Sequence, residues 1–433
     1  MDDIDQFFQD SHYNVIRVLL SISGLWPFHP RNRRYAIYLA AVLILGSGFI
    51  FEMLGVIEVK HNSFEVIDAL PLISYAILAF CKLFSLVYTL PKVKELFIKM
   101  QECCLSPKLD EEAKIQNSYT QYGRKLGYAY TGFILSLSVL YILSTLLTRF
   151  FFYTKSEKTD EISSTIGLLH RVNYMVDLDT YYIPIFIHSA ICDFSFTYLL
   201  VIFDVLYLTL VEHCCGLFAA LRYRLETALV YENDRLTTTK DKSYANNSAC
   251  NIRRHTETMQ CYSESAFESE SENNNMQNKY YSNIVYSVRK HAEAIQFAAA
   301  IESLYRLPFF LQMVINVSVI SIVGFQVVTS MEQSLSRLMP YGSYLSGLVV
   351  NIFLENWQGQ KIMDCSEKVF ESAYKLEWYK MPVMSQKLLI MIMIRSKKPL
   401  TITAGKILIL SYVTFNTVMR TGFSYFMILR SVQ

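Results

Sequence analysis

Three groups of residues in this chain have types and spacings that could do chemistry. Thr414, Thr417, Thr421, Ser424, Ile428 and Ser431 recur at intervals of three and four, which puts them on one helical face. A stripe of hydroxyls interrupted by an isoleucine fits one wall of a water-filled path with an apolar constriction. The same pattern arises when Ser and Thr bond back to their own helix carbonyls and let helices pack closely. Both readings stand on pattern alone, and the first needs several copies around an axis, because one helix cannot enclose a pore.

The second group is polar and aromatic: Tyr75, then Ser138, Tyr141 and Thr145 at i, i+3 and i+7, then Tyr341 and Tyr344. Together they would suit a pocket for a small, mostly apolar ligand. An interfacial aromatic belt is the alternative, favoured for Tyr341 at a span boundary. The third group is charge inside apolar sequence: Glu52, Asp68, Lys82, Asp193, Lys406 and Arg420. Lys82 sits near the end of its stretch, where its long side chain is expected to snorkel to water. Asp193 is more central, and is either satisfied by neighbours such as Ser189 and Thr197 or lines a wet path. No H-E-x-x-H, P-loop, G-x-S-x-G or dinucleotide fingerprint occurs, and the eight His are scattered. No enzyme, catalytic residue, metal site or cofactor is implied.

The elements that must position these residues are long apolar stretches. Of 433 residues, 52% are hydrophobic, 14% aromatic and only 18% charged, where soluble domains carry roughly a quarter. That composition excludes a disordered chain or a highly charged nucleic-acid binder. Seven stretches can cross a hydrocarbon core of about 30 Å. They run near Tyr35 to Val56, Val66 to Leu90, Leu126 to Thr148, Ile183 to Phe203, Leu307 to Met331, Leu338 to Leu354 and Leu400 to Leu429. The fold expected is all-α: one seven-transmembrane helical bundle over residues 1–433, embedded in a lipid bilayer.

The net charge of +2 says little, but its distribution orients the chain. With the N-terminus inside, the short interior segments hold 19 Lys and Arg and the exterior ones 7, so the positive-inside tendency favours a cytoplasmic N-terminus and an extracellular C-terminus. The cysteines outside the spans then all face a reducing compartment, so free thiols are expected. The sequons at Asn246 and Asn316 fall in the cytosol and in a span. The acidic N-terminus lacks the basic region of a cleaved signal peptide.

Arg149 to Tyr182 is long enough to fold back over the mouth of the bundle. Pro91 to Lys125 and Gln360 to Lys398 show helical apolar spacing and should project from the bilayer, the second as a cytoplasmic helical anchor. Residues 360–429 thus combine an anchor and a candidate pore-lining helix. Residues 232–281 shift to Asn, Ser, Thr, Glu and Lys and are expected to form a disordered insertion, unable to offset their ordering entropy.

The ordered combination Trp378-Tyr379-x-Met-Pro, Gln386-Lys387-Leu-Leu, Ile394-Arg-Ser, Pro399-Leu-Thr-Ile-Thr-Ala-Gly-Lys406 and Phe423-Ser-Tyr-Phe-Met-Ile-Leu429 resembles the terminal region of insect odorant receptors. Seven spans and a length near 400 extend the resemblance along the chain. It implies a plasma-membrane protein of olfactory sensory neurons that binds a small volatile organic ligand. It further implies a ligand-gated, non-selective cation channel, in which such a subunit forms a hetero-oligomer, a tetramer, with a shared co-receptor. The N-terminal half and the ending Arg430-Ser-Val-Gln433 differ from the co-receptor, which makes this a variable, ligand-tuning subunit. The resemblance places an apolar gate at Ile428 and Val432, on the face that carries Thr417, Thr421 and Ser424. It places the ligand among Tyr75, Ser138, Tyr141, Thr145, Phe186, Tyr341 and Tyr344.

Three other classes compete. Gustatory receptors end in a Thr-Tyr, apolar, Gln-Phe signature that is absent here. A G-protein-coupled receptor needs the opposite orientation and has Asp-Arg-Tyr and Asn-Pro-x-x-Tyr motifs, also absent. A transporter would show an inverted repeat, and none is evident.

Overall fold

The computed structural model describes residues 2–155, 168–169, 171–177, 180–227, 258–331 and 335–432. Its helices are α1 (Asp2–Asp10), α2 (Asn14–Ile22), α3 (Arg31–Glu58), α4 (Ser63–Leu105), α5 (Asp110–Lys155), α6 (Tyr182–Thr227), α7 (Thr258–Met331), α8 (Leu335–Lys375), α9 (Val383–Ser396) and α10 (Tyr412–Val432). A 3-10 turn, Trp378–Lys380, links α8 to α9, and a two-stranded antiparallel hairpin pairs β1 (Thr403–Ala404) with β2 (Leu408–Ile409). The expected all-α bundle is therefore present, with that hairpin as its one departure among the described residues.

Helix length separates a membrane zone from a projecting one. The 43 residues of α4 and 46 of α5 and α6 reach about 65 Å or more at 1.5 Å per residue, roughly twice a bilayer core. Five helices, α3 to α7, are long and apolar enough to cross a membrane by length and composition. The remaining two expected spans lie in the first half of α8 and in α10. The overhanging halves of α4 to α8 gather with α1, α2 and α9 into a base. The opposite end, where α3 meets α4 and α5 leads into α6, is the mouth.

Burial follows the same logic. On α3, Tyr35, Leu39, Leu43, Ile50 and Ile57 form one exposed apolar face, whereas Leu45, Glu52 and Gly55 are buried on the other. An exposed stripe of that size would be insoluble in water and is satisfied by lipid tails. By contrast α6 is buried nearly all round from Leu199 to Cys215, the pattern of a helix enclosed by others. Its residues Phe203 and Tyr207 meet Tyr305 and Phe309 of α7 in a four-ring cluster with centroids 4.8–6.0 Å apart.

Three expectations are corrected. The seventh span begins at Tyr412 rather than Leu400, because Gly405 and Lys406 take positive φ (66° and 63°) and turn the chain into the hairpin. Gly405 donates its N–H to the Arg306 carbonyl at 2.9 Å, and a Cβ there would lie 2.7 Å from the Phe310 ring. Lys406 is thus an exposed turn residue outside the span. Lys82 does not snorkel; it is 2% exposed and held by buried carboxylates. Finally, of the stretch expected to be disordered, residues 232–257 lie outside the described residues, but from Thr258 the chain is helical. The 24 residues from Thr258 to Tyr281 hold no Gly or Pro, so a helix nucleated by the packed part of α7 continues through them.

Candidate functional site

Near the mouth, α3, α4 and α6 surround a small cavity of about 20 Å³. Gly48 lets the helices close around it: a Cβ there would come 2.8 Å from the Cys192 Cβ on α6. The wall is formed by Glu52 from α3, Leu72, Tyr75 and Ala76 from α4, and Ser189, Cys192, Asp193 and Phe196 from α6. The loop before α6 folds back as a roof, as its length suggested. Val172 and Tyr174 line the cavity, Asn173 N–H bonds the Phe51 carbonyl at 3.1 Å, and Tyr174 stacks on Phe51 with centroids 4.1 Å apart. Gly55 makes that contact possible, since a Cβ there would meet the backbone of Arg171, its carbonyl carbon at 2.7 Å.

Polar groups around the cavity are engaged in order. Tyr75 donates its hydroxyl to Thr197 Oγ1 at 2.8 Å, and Ser138 donates to Asp193 Oδ2 at 3.0 Å. Thr197 itself bonds the backbone carbonyl of Asp193 at 3.0 Å, so the carboxylate's neighbour is Ser138 on α5 rather than Thr197. His188 bridges Ser47 at 3.1 Å and Tyr174 at 2.6 Å.

The sequence-derived ligand residues surround this cavity unevenly. Tyr75 lines it, Ser138 reaches it through Asp193, and Tyr344 meets Tyr75 edge-to-face at 5.9 Å while donating to the Pro71 carbonyl at 3.3 Å. Tyr141 donates to the Leu169 carbonyl of the roof loop, and Thr145 donates to the Tyr141 carbonyl at 2.9 Å. Phe186 packs against Tyr182 one turn earlier on its own helix, and Tyr341 is half-buried near the start of α8. None of these last four lines the cavity. Glu52, Tyr174, Cys192 and Phe196 were not singled out as ligand residues. The intramembrane acids Glu52 and Asp193 were the available signal, since buried charge in lipid faces protein or water.

Below the cavity a buried network joins five helices. Lys82 of α4 pairs with Asp204 of α6 at 2.7 Å and Glu355 of α8 at 3.6 Å, and its ammonium lies 4.9 Å from the Phe203 ring centre. Asp204 also accepts from Tyr130 of α5 at 2.7 Å and Asn351 of α8 at 2.6 Å, and Asn351 accepts from Gln312 of α7 at 2.6 Å. In the base, beyond the apolar stretches, His213 is sealed against Tyr13 at 2.7 Å, and burial pushes its imidazole down to about 3, so it is neutral at cellular pH.

The hydroxyl stripe of α10 splits. Thr414 is buried and bonds the Ile409 carbonyl, whereas Thr417, Ser424, Ile428 and Ser431 are exposed and Thr421 is half-buried. Thr417, Ser424 and Ser431 donate back to carbonyls of their own helix at 2.8–2.9 Å. The Val432 side chain lies outside the described residues. One face of α10 packs on α7, where Ser321 donates to the Gly422 carbonyl at 3.0 Å, and on α8 through Phe353 and Phe415. Its other face, with Phe423, Tyr425, Met427 and Ile428, is uncovered in the single chain.

Comparison with known proteins adds the following. A sequence model described as 7tm Odorant receptor matches residues 62–423. Among curated relatives, the chain is 23% identical over 146 residues to putative odorant receptor 85d and 24% over 149 residues to odorant receptor 85b, both of Drosophila melanogaster. It is 25% identical over 97 residues to odorant receptor 10 of Aedes albopictus. The first two matches span 34% of this chain and 35% and 38% of those relatives, so the alignment reaches just over a third of their length. The fold matches the insect olfactory receptor OR5 of Machilis hrabei in complex with eugenol, TM-score 0.67 at 14% identity, covering 97% of both chains. A second OR5 structure gives 0.65 at 15% identity with the same coverage.

Proposed function

The chain belongs to the 7tm odorant receptor family, and from that premise we propose that it is the odorant-binding subunit of a ligand-gated, non-selective cation channel. It would act with the family's co-receptor in the plasma membrane of olfactory neurons, with its N-terminus and base in the cytoplasm. The observation that carries the reading is a roofed cavity near one end of a membrane bundle whose last helix keeps an apolar face uncovered. Ligand and pore then occupy different parts of one chain, and the packed helices between them supply a route for coupling.

The proposed mechanism is a shift of population. A volatile molecule enters near Tyr75 and Tyr174 and requires the aromatic walls to move, because the cavity is smaller than an odorant. The displacement passes through α4, α6 and α8, which the Lys82–Asp204–Glu355 network ties together, to α10, which packs on α7 and α8. A ligand that binds better when those helices have moved favours withdrawal of Ile428 and Val432 from the axis. Ser138 and Tyr344, which touch residues of the cavity wall, move with it, and the proposal extends that movement to Tyr141, Thr145, Phe186 and Tyr341 around them. The test is an odorant panel on cells expressing the chain with and without the co-receptor. Currents that need both proteins are expected, and odorant-evoked signalling without channel current would sink the reading.

A further inference from the structure

Glu52 is 6% exposed, lines the mouth cavity, and accepts no hydrogen bond and forms no ion pair with any described residue. Asp193 lines the same cavity from the opposite helix. No Lys, Arg or His is among the residues lining it, and the described cation of the roof loop, Arg171, is engaged with Glu65 at 2.9 Å. Three aromatic rings, Tyr75, Tyr174 and Phe196, complete the walls. Resting on the receptor reading above, we propose that the ligand is a small apolar amine, bound as its ammonium ion with Glu52 as counter-ion and those rings around it.

The chemistry is specific to that class. A buried carboxyl group without a partner costs free energy whether it is charged or neutral; a hydrocarbon leaves both forms unpaired, and an ester, which only accepts, leaves the carboxylate unpaired. An alkylammonium keeps its proton to about pH 10, donates charge-assisted hydrogen bonds to carboxylates, and is attracted to aromatic faces. Size agrees too: a volume of about 20 Å³ holds one group the size of a water, which is the size of an ammonium head. The head thus fits the cavity as it stands, and the hydrocarbon tail is what must part the walls.

Benzylamine and benzyl alcohol, which differ by one polar group, are compared at neutral pH on cells expressing the chain with the co-receptor, beside a panel of neutral volatiles. Benzylamine is expected to evoke current at concentrations about tenfold lower or more than benzyl alcohol, the scale of one charge-assisted bond. Glu52→Gln should collapse that preference about tenfold, and Asp193→Asn should reduce it, with surface labelling to show that each variant reaches the membrane. The wild-type preference stands as a test even if a variant fails to fold. Responses to neutral volatiles without any to benzylamine, or a preference that Glu52→Gln leaves intact in surface-expressed protein, would overturn the amine assignment while the receptor reading survives. No current from any compound with the co-receptor present would instead overturn the channel reading and the amine assignment with it.

Discussion

Lys82 places a positive charge where five helices meet, and its neighbours explain why it stays. Two carboxylates and an aromatic face lie against it, and a phenol and an asparagine bond one of those carboxylates, so its charge is compensated locally rather than carried to water. Removing one partner of a buried pair leaves the others uncompensated, at about 3–5 kcal/mol. Lys82→Met should therefore lower the unfolding temperature of purified protein and cut surface expression. Adding Asp204→Asn to it should recover part of both, and no recovery would show that the two side chains are not coupled. The sequence showed Lys82 but concealed its partners for a physical reason. Asp204 and Glu355 fall one residue beyond apolar stretches that end at Phe203 and Leu354, so hydropathy reads each as the edge of a span. Only helices that continue far past the bilayer put such edges in a protein interior.

At the scale of elements, close contacts fix how the roof sits on the cavity. The carbonyl carbon of Arg171 would be 2.7 Å from a Cβ at position 55, so Gly55→Ala must lift the loop that carries Val172 and Tyr174. The expected result is a ligand concentration–response curve displaced to higher concentrations by about tenfold, with maximal current retained. A curve that does not move would mean the roof takes no part in binding. Helix existence was legible because apolar runs of about 20 residues have few alternatives in lipid. The roof was legible only as a long connection, since its contacts are single side chains and one backbone bond to several helices and leave no periodic trace. The hairpin was missed for a related reason. Residues from Leu400 to Leu410 are apolar enough to extend the last span, and the turn depends on two residues with positive φ, of which the single Gly405 is the visible sign.

For the whole molecule, α10 is the helix whose outer face the other described elements leave bare. Phe423, Tyr425, Met427 and Ile428 lie uncovered beside the hydroxyls of Thr417 and Ser424, a mixed face that neither lipid nor water suits along its whole length. Back-bonding of those hydroxyls to the helix lowers their cost without removing their oxygen lone pairs, and the wet axis between subunits proposed above would accommodate both. If Ile428 narrows that axis, Ile428→Ser should raise basal current in cells that also express the co-receptor. Unchanged basal and evoked currents would remove Ile428 from the gate. The stripe could be read from sequence, whereas the proposed partners could not, because a pore formed by several chains would have no signature of closure in any one of them.

The cavity near the mouth has room for about one water, and that has a consequence for discrimination. If the ligand enters there, as proposed, its apparent affinity is the intrinsic one scaled by the fraction of time the walls stand far enough apart for its bulk. Weak binders never repay the opening and go unseen. If that cavity takes the ligand, loosening the packing of Tyr75, Tyr174 or Phe196 would lower the concentration needed for many ligands at once, and selectivity would be the property lost.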